Sequence, residues 1–224
     1  MIQIRSVMSG RAGRSRGFTL VELLIVIAII SILMSVLVPA AWSALKSSRQ
    51  TAAAASSHGI AQLMTQYGLD QGTYPDALTS TDVCKLLIAK GYLTSANIFY
   101  LPGGTQTKFK GLDPATNLMA QNVSWDITGV NGNSGPTGMT VNAPDELPLV
   151  FSTGATVTYP AQPGPGKAVC VASAPLGTDG LAVTYKDNHS AFVKIDSGAG
   201  VYTISDFIAE SFDPKGEIYV QRKP

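Results

Sequence analysis

One ionisable residue, Glu22, stands near the start of a long apolar run in this 224-residue chain. A carboxylate held at the centre of a bilayer costs on the order of 3 kcal/mol, so it needs a partner. A neighbouring copy of the chain can provide one, which would make Glu22 an assembly contact. The alternative is that Glu22, close to the helix start, favours the helix dipole and reaches towards the lipid headgroups.

Residue patterns that support catalysis are sparse elsewhere. His58 lies in an expected helix and His189 in an expected turn, and the sequence has neither a CxxC pair nor a glycine-rich phosphate-binding loop. The formal net charge is only +1, whereas nucleic-acid binding needs clustered Lys and Arg. We therefore expect neither an enzyme nor a nucleic-acid-binding protein.

The apolar run over residues 18–45 is long enough to cross a bilayer, because roughly twenty such residues suffice for a helix. Four arginines and no acidic residue precede it: Arg5, Arg11, Arg14 and Arg16. Basic residues that flank a span stay in the cytoplasm, which places the rest of the chain outside it. The sequence thus predicts a basic segment at 1–17 and a single-pass membrane helix at 18–45, in contact with lipid.

An amphipathic continuation of this helix is predicted over residues 46–69. Its apolar face has helical spacing and comprises Ile60, Leu63, Met64 and Tyr67. Gly68 is predicted to end the helix in the left-handed conformation. Pro39 lacks the amide that would bond the Ser35 carbonyl, so we expect a kink or a loosened turn there, with partial compensation from the Ser35 hydroxyl.

Residues 70–224 are predicted to form the globular domain. A short helix is expected from about Thr81 to Lys90, with a glycine as its stop. A loop-rich middle follows. The stretches 129–138 and 159–166 are rich in Gly and Pro, and we expect them to be exposed turns.

Short β-like runs fill the last third of the chain. They cover 147–151, 155–159, 167–172, 181–185, 191–195, 201–205 and 217–221. Asp187 and Asn188 separate two of these runs and fit a hairpin turn, because both residue types tolerate a positive φ. The prediction is an α+β fold in which a long N-terminal helix packs on a mostly antiparallel sheet.

Two cysteines, Cys84 and Cys170, lie beyond the apolar run and would meet an oxidising compartment. A single bridge between them would close a long loop and could stabilise the domain by roughly 4 kcal/mol on a chain-entropy model. The alternative is two separate buried thiols. The sequence leaves both open.

The junction RSRGFTLVELLIVIAII closely resembles the class III signal of type IV prepilins and type II secretion pseudopilins. The resemblance rests on the basic residues, Gly17, Phe18, the apolar stretch, and Glu22 as the fifth residue of the mature chain. Pro39 stands where many members have a helix-breaking proline. The resemblance implies that a prepilin peptidase cleaves between Gly17 and Phe18 and methylates the new amino group of Phe18. Because Gly17 lacks a side chain, its backbone can approach a peptidase closely.

The same resemblance implies an assembly mechanism. Glu22 would pair with the N-terminal amine of an adjacent subunit while the apolar helices pack in a central bundle, giving a filament of identical subunits. Before assembly, the subunit would sit in the inner membrane with its globular domain in the periplasm. An inner-membrane platform with its ATPase would extract it, and other pseudopilins or minor pilins would join the filament.

The segment YGLDQGTYP (67–75) looks like the end of the N-terminal helix in major type II pseudopilins, although an ordinary helix end before a Pro turn gives a similar pattern. It makes a type II secretion pseudopilus, which supports protein export, our first hypothesis. A type IV pilus for adhesion, motility or DNA uptake is the alternative. A membrane-tethered binding module that uses its loops at 102–145 and never polymerises is the hypothesis from another class.

Two further resemblances concern the C-terminal third. The segment 182–195 is similar to a hairpin of prepilin-type proteins in which Gly usually stands where this chain has Asn188. Some pseudopilins hold calcium, and Asp213 lies in a stretch similar to theirs, although a plain β-turn explains that stretch too. A calcium site needs six or more oxygens, and the candidates are Asp113, Asn117, Asp126 and Asp213. Apart from calcium, we expect no metal and no cofactor.

Overall fold

The protein is described by a computed structural model that covers residues 18–159, 167–170, 174–194 and 218–224. The chain divides into an N-terminal unit that ends at Leu45 and a second unit from Lys46 to Pro224. Helix α1 (Leu20–Gln71) passes through this division. The N-terminal unit therefore contributes only helix, and the caps of that helix, to the described fold.

Within the N-terminal unit, α1 exposes its large apolar side chains all round. Among the described residues it is the one helix long and apolar enough to cross a membrane. It stays helical at Pro39, and the Ser35 hydroxyl donates to the Ile32 carbonyl at 2.7 Å. The loosening predicted at Pro39 therefore does not interrupt the helix.

Within the second unit, α1 has one buried face, which confirms the predicted amphipathic continuation. The buried residues of this face are Ala53, Ser57, Ile60, Ala61, Met64, Tyr67 and Gly68, and Leu63 packs partly buried against the same core. The spacing of three and four residues keeps them on one side of the helix. This face joins Trp125, Val150 and Ala182 of the sheet in a single apolar core.

The predicted helix end at Gly68 is wrong by about one turn. Gly68 lies inside α1 and faces the core, where an added Cβ would lie 3.4 Å from Val141. Gly72 instead has the left-handed backbone, with φ of +80°, and its amide donates to the Gly68 carbonyl at 2.8 Å. The helix therefore continues past the first glycine, because that glycine permits close packing, and ends at the second one.

Two short α-helices and two 3₁₀ turns follow α1. They are α2 (Ser80–Ala89), the 3₁₀ turn Ala96–Phe99, α3 (Pro114–Asn117) and the 3₁₀ turn Ala120–Asn122. The predicted helix at about 81–90 is confirmed as α2. Its N-cap is Thr79, whose hydroxyl accepts a hydrogen bond from the Asp82 amide. Gly91, with φ of +81°, follows the end of the helix.

A six-stranded antiparallel sheet and a two-stranded one complete the described fold, which confirms the α+β class. The strands are β1 (Trp125–Gly132), β2 (Gly135–Thr137), β3 (Pro148–Ser152), β4 (Ala155–Thr158), β5 (Lys167–Cys170), β6 (Gly180–Tyr185), β7 (Ser190–Lys194) and β8 (Tyr219–Arg222). The larger sheet runs β2-β1-β3-β6-β7, with β8 also paired to β1, and β4 pairs with β5. The run predicted at 201–205 lies outside the described residues.

Strand β1 was not predicted, and the expectation of exposed turns at 129–138 is wrong for most of that stretch. Ile127 pairs with β3 on one side and with β8 on the other, so β1 lies inside the sheet. The glycines in β1 interrupt the run of β-branched and aromatic residues from which a strand is predicted. Gly129 is needed because a Cβ there would come within 2.7 Å of the Arg222 side chain and of the Thr137 carbonyl oxygen.

The hairpin between β6 and β7 confirms the predicted turn at Asp187 and Asn188. Asn188 has φ of 71°, and its amide donates to the Tyr185 carbonyl at 2.9 Å. His189 stacks on Tyr185 with ring centroids 4.2 Å apart and contacts the Asp187 carboxylate. His189 is thus a partly exposed turn residue.

Candidate functional site

The candidate site is the start of α1, where Thr19 and Glu22 hold each other. The Thr19 amide and hydroxyl both donate to one Glu22 carboxylate oxygen, at 2.9 and 2.8 Å. In return the Glu22 amide donates to the Thr19 hydroxyl at 3.2 Å. This reciprocal pairing is a capping box, which satisfies amides that the first turn of a helix leaves unpaired.

The capping box gives Glu22 a partner within its own chain, which the sequence reasoning missed. The signal was present, because Thr19 and Glu22 have the T-x-x-E spacing of a capping box. One carboxylate oxygen takes both Thr19 contacts, so the second oxygen remains open to a further donor. The carboxylate is therefore fixed in direction and still able to bind a cation.

The predicted cleavage pair lies directly before this cap. Gly17 lies outside the described residues. Phe18 is 80% exposed and precedes the N-cap Thr19, so its backbone is not part of the helical hydrogen-bond ladder. Phe18 is therefore accessible ahead of the helix, as a substrate position of a peptidase must be.

Polar atoms in the apolar part of α1 are satisfied by the helix itself. The hydroxyl of Ser31 donates to the Ile27 carbonyl at 2.7 Å, and that of Ser43 to the Ala40 carbonyl at 2.9 Å. Such back-bonding removes the cost of placing a hydroxyl in hydrocarbon. The surface of this segment can therefore pack against lipid tails or against other apolar helices.

A chain of hydroxyl groups fixes the second half of α1 to the sheet. Buried Thr184 in β6 donates to the Ser57 hydroxyl at 2.8 Å, and Ser190 in β7 lies 2.8 Å from the same Thr184 oxygen. Lys46 forms an ion pair of 2.6 Å with Asp179, directly before β6. These contacts set the register of the helix against β6 within the second unit.

The segment YGLDQGTYP closes the C-terminal end of α1. The rings of Tyr67 and Tyr92 lie 5.6 Å apart, and the Tyr92 hydroxyl donates to the Asp70 carboxylate at 2.8 Å. The Tyr74 amide donates to the Met139 carbonyl at 3.0 Å. The Tyr, Asp and Tyr-Pro positions of this segment thus have structural contacts around the helix end.

Arg222 of β8 is a completely buried cation, and no pattern in the sequence predicts its burial. Its guanidinium donates to the carbonyls of Pro75, Ala77 and Thr128 at 2.8 to 3.0 Å. Burial lowers its pKa to about 10, an effect that nearby Asp76 partly offsets. At neutral pH it therefore remains charged and links the segment before α2 to the sheet.

Asp126 of β1 is a buried carboxylic acid on the same part of the sheet. Gln221 donates to one of its oxygens at 2.6 Å and also to the Ala155 carbonyl at 2.8 Å. Burial raises the pKa of Asp126 to about 6, against the opposing effect of its hydrogen bonds to Thr153 and Gln221. Asp126 therefore titrates near neutral pH and lies where β1, β4 and β8 meet.

The calcium candidates have separate roles where they are described. Asp113 caps α3 by accepting from the Ala115 amide at 3.0 Å, and the Asn117 side chain donates to Thr116. The Asp126 carboxylate accepts a hydrogen bond from Gln221. Asp213 lies outside the described residues. In the described part of the chain, no three His, Cys, Asp or Glu side chains lie together as a metal group. Calcium binding stays a prediction.

Cys84 is a free thiol in the structure and is completely buried in the core beside α1. Burial raises the pKa of this thiol, so it is an unreactive group. These observations fit the alternative of a buried thiol for Cys84. The backbone of Cys170 belongs to β5, and its side chain lies outside the described residues, so the bridge stays a prediction without support from Cys84.

Comparison with known proteins connects this site to a family. The model of the prokaryotic N-terminal methylation motif matches residues 13–38, which include the cleavage pair, Glu22 and the first part of α1. The chain is 36% identical over 84 residues to a fimbrial protein of Neisseria meningitidis serogroup A, covering 37% of this chain and 49% of that protein. It is 42% identical over 60 residues to the type IV wide pilus major component PilA4 of Thermus thermophilus, covering 27% of this chain and 46% of that protein.

The chain spans about half the length of these curated relatives. No solved structure matches it. The methylation motif coincides with an apolar helix suited to membrane anchoring, and that helix continues onto an antiparallel sheet as the resemblance predicted. The chain therefore carries a prokaryotic N-terminal methylation motif at the start of α1 and is similar, over about half of their length, to two pilus proteins.

Proposed function

We propose that this chain is the subunit of an extracytoplasmic filament and polymerises through the N-terminal part of α1. The observation that carries the proposal is the methylation motif at the start of a helix whose apolar side chains are exposed on every side. Outside the membrane, burying one large apolar side chain away from water yields roughly 1.5–3 kcal/mol. Packing such helices together therefore holds identical subunits in a filament once they have left the lipid.

Processing prepares the contact that orders the subunits. Cleavage between Gly17 and Phe18 creates a new amino group at Phe18, which is also the position proposed for methylation. One oxygen of the Glu22 carboxylate accepts hydrogen bonds from Thr19. The other oxygen can accept a hydrogen bond from the Phe18 amino group of an adjacent subunit. A charge-assisted hydrogen bond contributes about 1.5–3 kcal/mol, and it sets the axial register of the helices.

The place of the subunit in the cell follows from the same proposal. The subunit waits in the inner membrane, with lipid around the span at 18–45 and the domain from residue 46 onwards in the periplasm. Its partners are the prepilin peptidase, an inner-membrane assembly platform with its ATPase, other pseudopilins or minor pilins, and further copies of itself. We propose no catalytic activity for the chain.

Two kinds of filament fit this subunit. The named relatives are a fimbrial protein and a pilus component, which favours a type IV pilus. The segment at 67–75 resembles major pseudopilins, which favours a pseudopilus for protein export. Deletion of the gene separates them: loss of surface filaments with secretion intact supports the pilus, whereas loss of an exported protein with surface filaments intact supports the pseudopilus.

A tethered binding module that never polymerises is the proposal from another class, and chemical crosslinking in membranes separates it from a filament subunit. A filament subunit gives ladders of oligomers that disappear when Glu22 is replaced by Ala. A tethered module stays monomeric with either residue.

The experiment that tests the proposed function is the intact mass of the membrane-extracted protein. We expect a chain that begins at Phe18 and is one methyl group heavier than the unmodified form. Gly17→Ser should leave the leader in place, whereas Gly13→Ser, a glycine of the same basic segment, should be processed normally. An uncut wild-type chain would contradict the proposal.

A further inference from the structure

An exposed basic loop lies between the 3₁₀ turn Ala96–Phe99 and α3. We define the basic loop as residues 108–112, which include the exposed Lys108 and Lys110. Leu112 is fully exposed in it, and Met119, which follows α3, is 59% exposed. Among the described residues neither lysine forms an ion pair. The loop thus presents two positive charges beside apolar side chains with no partner in the described chain.

The basic loop is fixed at one end of the sheet. The Thr107 amide donates to the Gln121 carbonyl at 2.7 Å, and the Asn122 side chain donates to the Thr107 carbonyl at 3.0 Å. Asn122 is buried and stands three residues before β1. The loop therefore lies near the end of the sheet where β1 begins.

An exposed acidic surface lies elsewhere on the same unit. We define the acidic loop as residues 141–146, which include exposed Glu146 and Asp145. Val141 in this loop is 38% exposed. The acidic loop therefore carries a partly exposed apolar side chain as well as its carboxylates, and the basic loop carries an exposed apolar side chain as well as its lysines.

The acidic loop is fixed at the opposite end of β3 and β6. The Lys186 amide donates to the Leu147 carbonyl and the Asp187 amide to the Asp145 carbonyl, both at 2.9 Å. Lys186 neutralises Asp145 through an ion pair of 2.7 Å. In the described residues Glu146 has no ion pair, so its charge is available to another molecule.

The register of the strands places the two loops apart. β1 is antiparallel to β3, and Trp125 at the start of β1 pairs with Ser152 at the end of β3. The acidic loop directly precedes the start of β3 at Pro148, and the hairpin that holds it follows the end of β6. One chain therefore carries complementary surfaces at opposite ends of these strands and cannot join them to each other.

We propose that the basic loop of one subunit docks on the acidic loop of another copy of this chain in the filament. Lys110 and Lys108 would face Glu146, while Leu112 would cover Val141. Because the two surfaces differ, the contact is heterologous and can repeat from one subunit to the next, which a helical filament requires. The inference rests on the proposed function and adds a second interface, outside the helix bundle.

Zero-length carbodiimide crosslinking of purified filaments tests the contact directly, because it joins a lysine amine to a carboxylate only where they touch. We expect an amide between Lys110 or Lys108 and Glu146 in the dimer band, identified by mass spectrometry. Lys90, an exposed lysine at the end of α2, should form no such link to Glu146. Filaments that give no link from the basic loop to the acidic loop overturn the inference and leave the proposed function standing.

Charge exchange provides the second test. Lys110→Glu and Glu146→Lys should each raise the critical concentration for filament assembly roughly tenfold, and the double variant should restore it. Lys90→Glu should leave it unchanged. Single variants that assemble like the wild type, or a double variant that is as defective as the singles, overturn the docking contact. Wild-type protein that forms no filament overturns both the contact and the proposed function, whereas normal filaments with no charge effect overturn only the contact.

Discussion

The two halves of α1 belong to one continuous helix but differ in the exposure of their apolar side chains. Between Phe18 and Leu45 the large apolar residues are exposed on all sides, so the described part of the chain does not cover them. Between Ala53 and Gly68 the apolar residues form a single face that is buried on the sheet. A helix that is apolar all round belongs in lipid or in a bundle, and an amphipathic one belongs on a domain surface.

The same contrast holds for polar groups. The Ser31 hydroxyl in the first half bonds to its own helix, whereas the Ser57 hydroxyl in the second half also accepts a bond from Thr184 in the sheet. Substitutions in the first half should therefore change assembly, and substitutions in the second half should change the free energy of unfolding.

Glu22→Ala should have the largest effect, because it removes the carboxylate proposed to order the subunits. We expect filaments to be lost while the unfolding temperature of the globular domain in detergent stays unchanged. Electron microscopy and circular dichroism measure the two quantities. Thr19→Ala removes the cap, which contributes about 1 kcal/mol, but keeps the carboxylate, so it should weaken filaments less than Glu22→Ala does. A larger loss of filaments in Thr19→Ala than in Glu22→Ala would contradict the role given to Glu22.

The start of the helix and the class of the fold could be predicted because their signals are local. The apolar run that begins α1 lies in one short stretch of sequence, and the T-x-x-E pair at Thr19, a local signal that was missed, lies in the same stretch. The strands at β3, β4, β6 and β7 also have the expected composition. These features depend on residues that are close together in the sequence, so they can be predicted from the sequence alone.

The features that could not be predicted depend on distant residues. β1 contains two glycines. At Gly129 a larger residue would clash with the Arg222 side chain from β8. The helix continues through Gly68 because Val141 and Tyr74 pack on it there. Arg222 itself looks like a surface residue in the sequence, and only the fold brings three carbonyls around it. Tertiary contacts override local propensity at each of these positions.

Arg222→Met should have the largest effect on the free energy of unfolding. The change leaves three carbonyls without their donor, and each unpaired buried group costs about 1–3 kcal/mol. We expect the free energy of unfolding to fall by about 3 kcal/mol, measured by urea unfolding of the full chain in detergent. Arg49→Met, at an exposed position of α1, should change it by less than about 0.5 kcal/mol. Equal effects of the two substitutions would mean that the buried guanidinium is not a structural link.

Asp126→Asn should change how stability depends on pH. Because the pKa of Asp126 is raised to about 6 in the folded chain, the folded state holds its proton more tightly than the unfolded state. Its contribution is fully present below about pH 4 and is lost as pH rises through 6. Two pKa units correspond to about 3 kcal/mol.

We therefore expect the wild type to lose more stability than Asp126→Asn between pH 4 and pH 7, because the amide cannot ionise. Chemical unfolding at a series of pH values measures the difference between the two proteins, which cancels the other titrating groups. Parallel curves for the two proteins would show that Asp126 is ionised in the folded state with an ordinary pKa.

Ser57→Ala and Ser31→Ala compare one hydroxyl in each half of α1 and should give the smallest effects. Ser57→Ala removes the acceptor of buried Thr184, so the free energy of unfolding should fall by about 1 kcal/mol. Ser31→Ala removes a hydroxyl that bonds only to the Ile27 carbonyl within its own helix, so unfolding should not change. In a double-mutant cycle, Ser57→Ala with Thr184→Val should show a coupling of roughly 0.5–1.5 kcal/mol. No coupling would mean that shape alone, and not the hydroxyl chain, sets the register of α1 on β6.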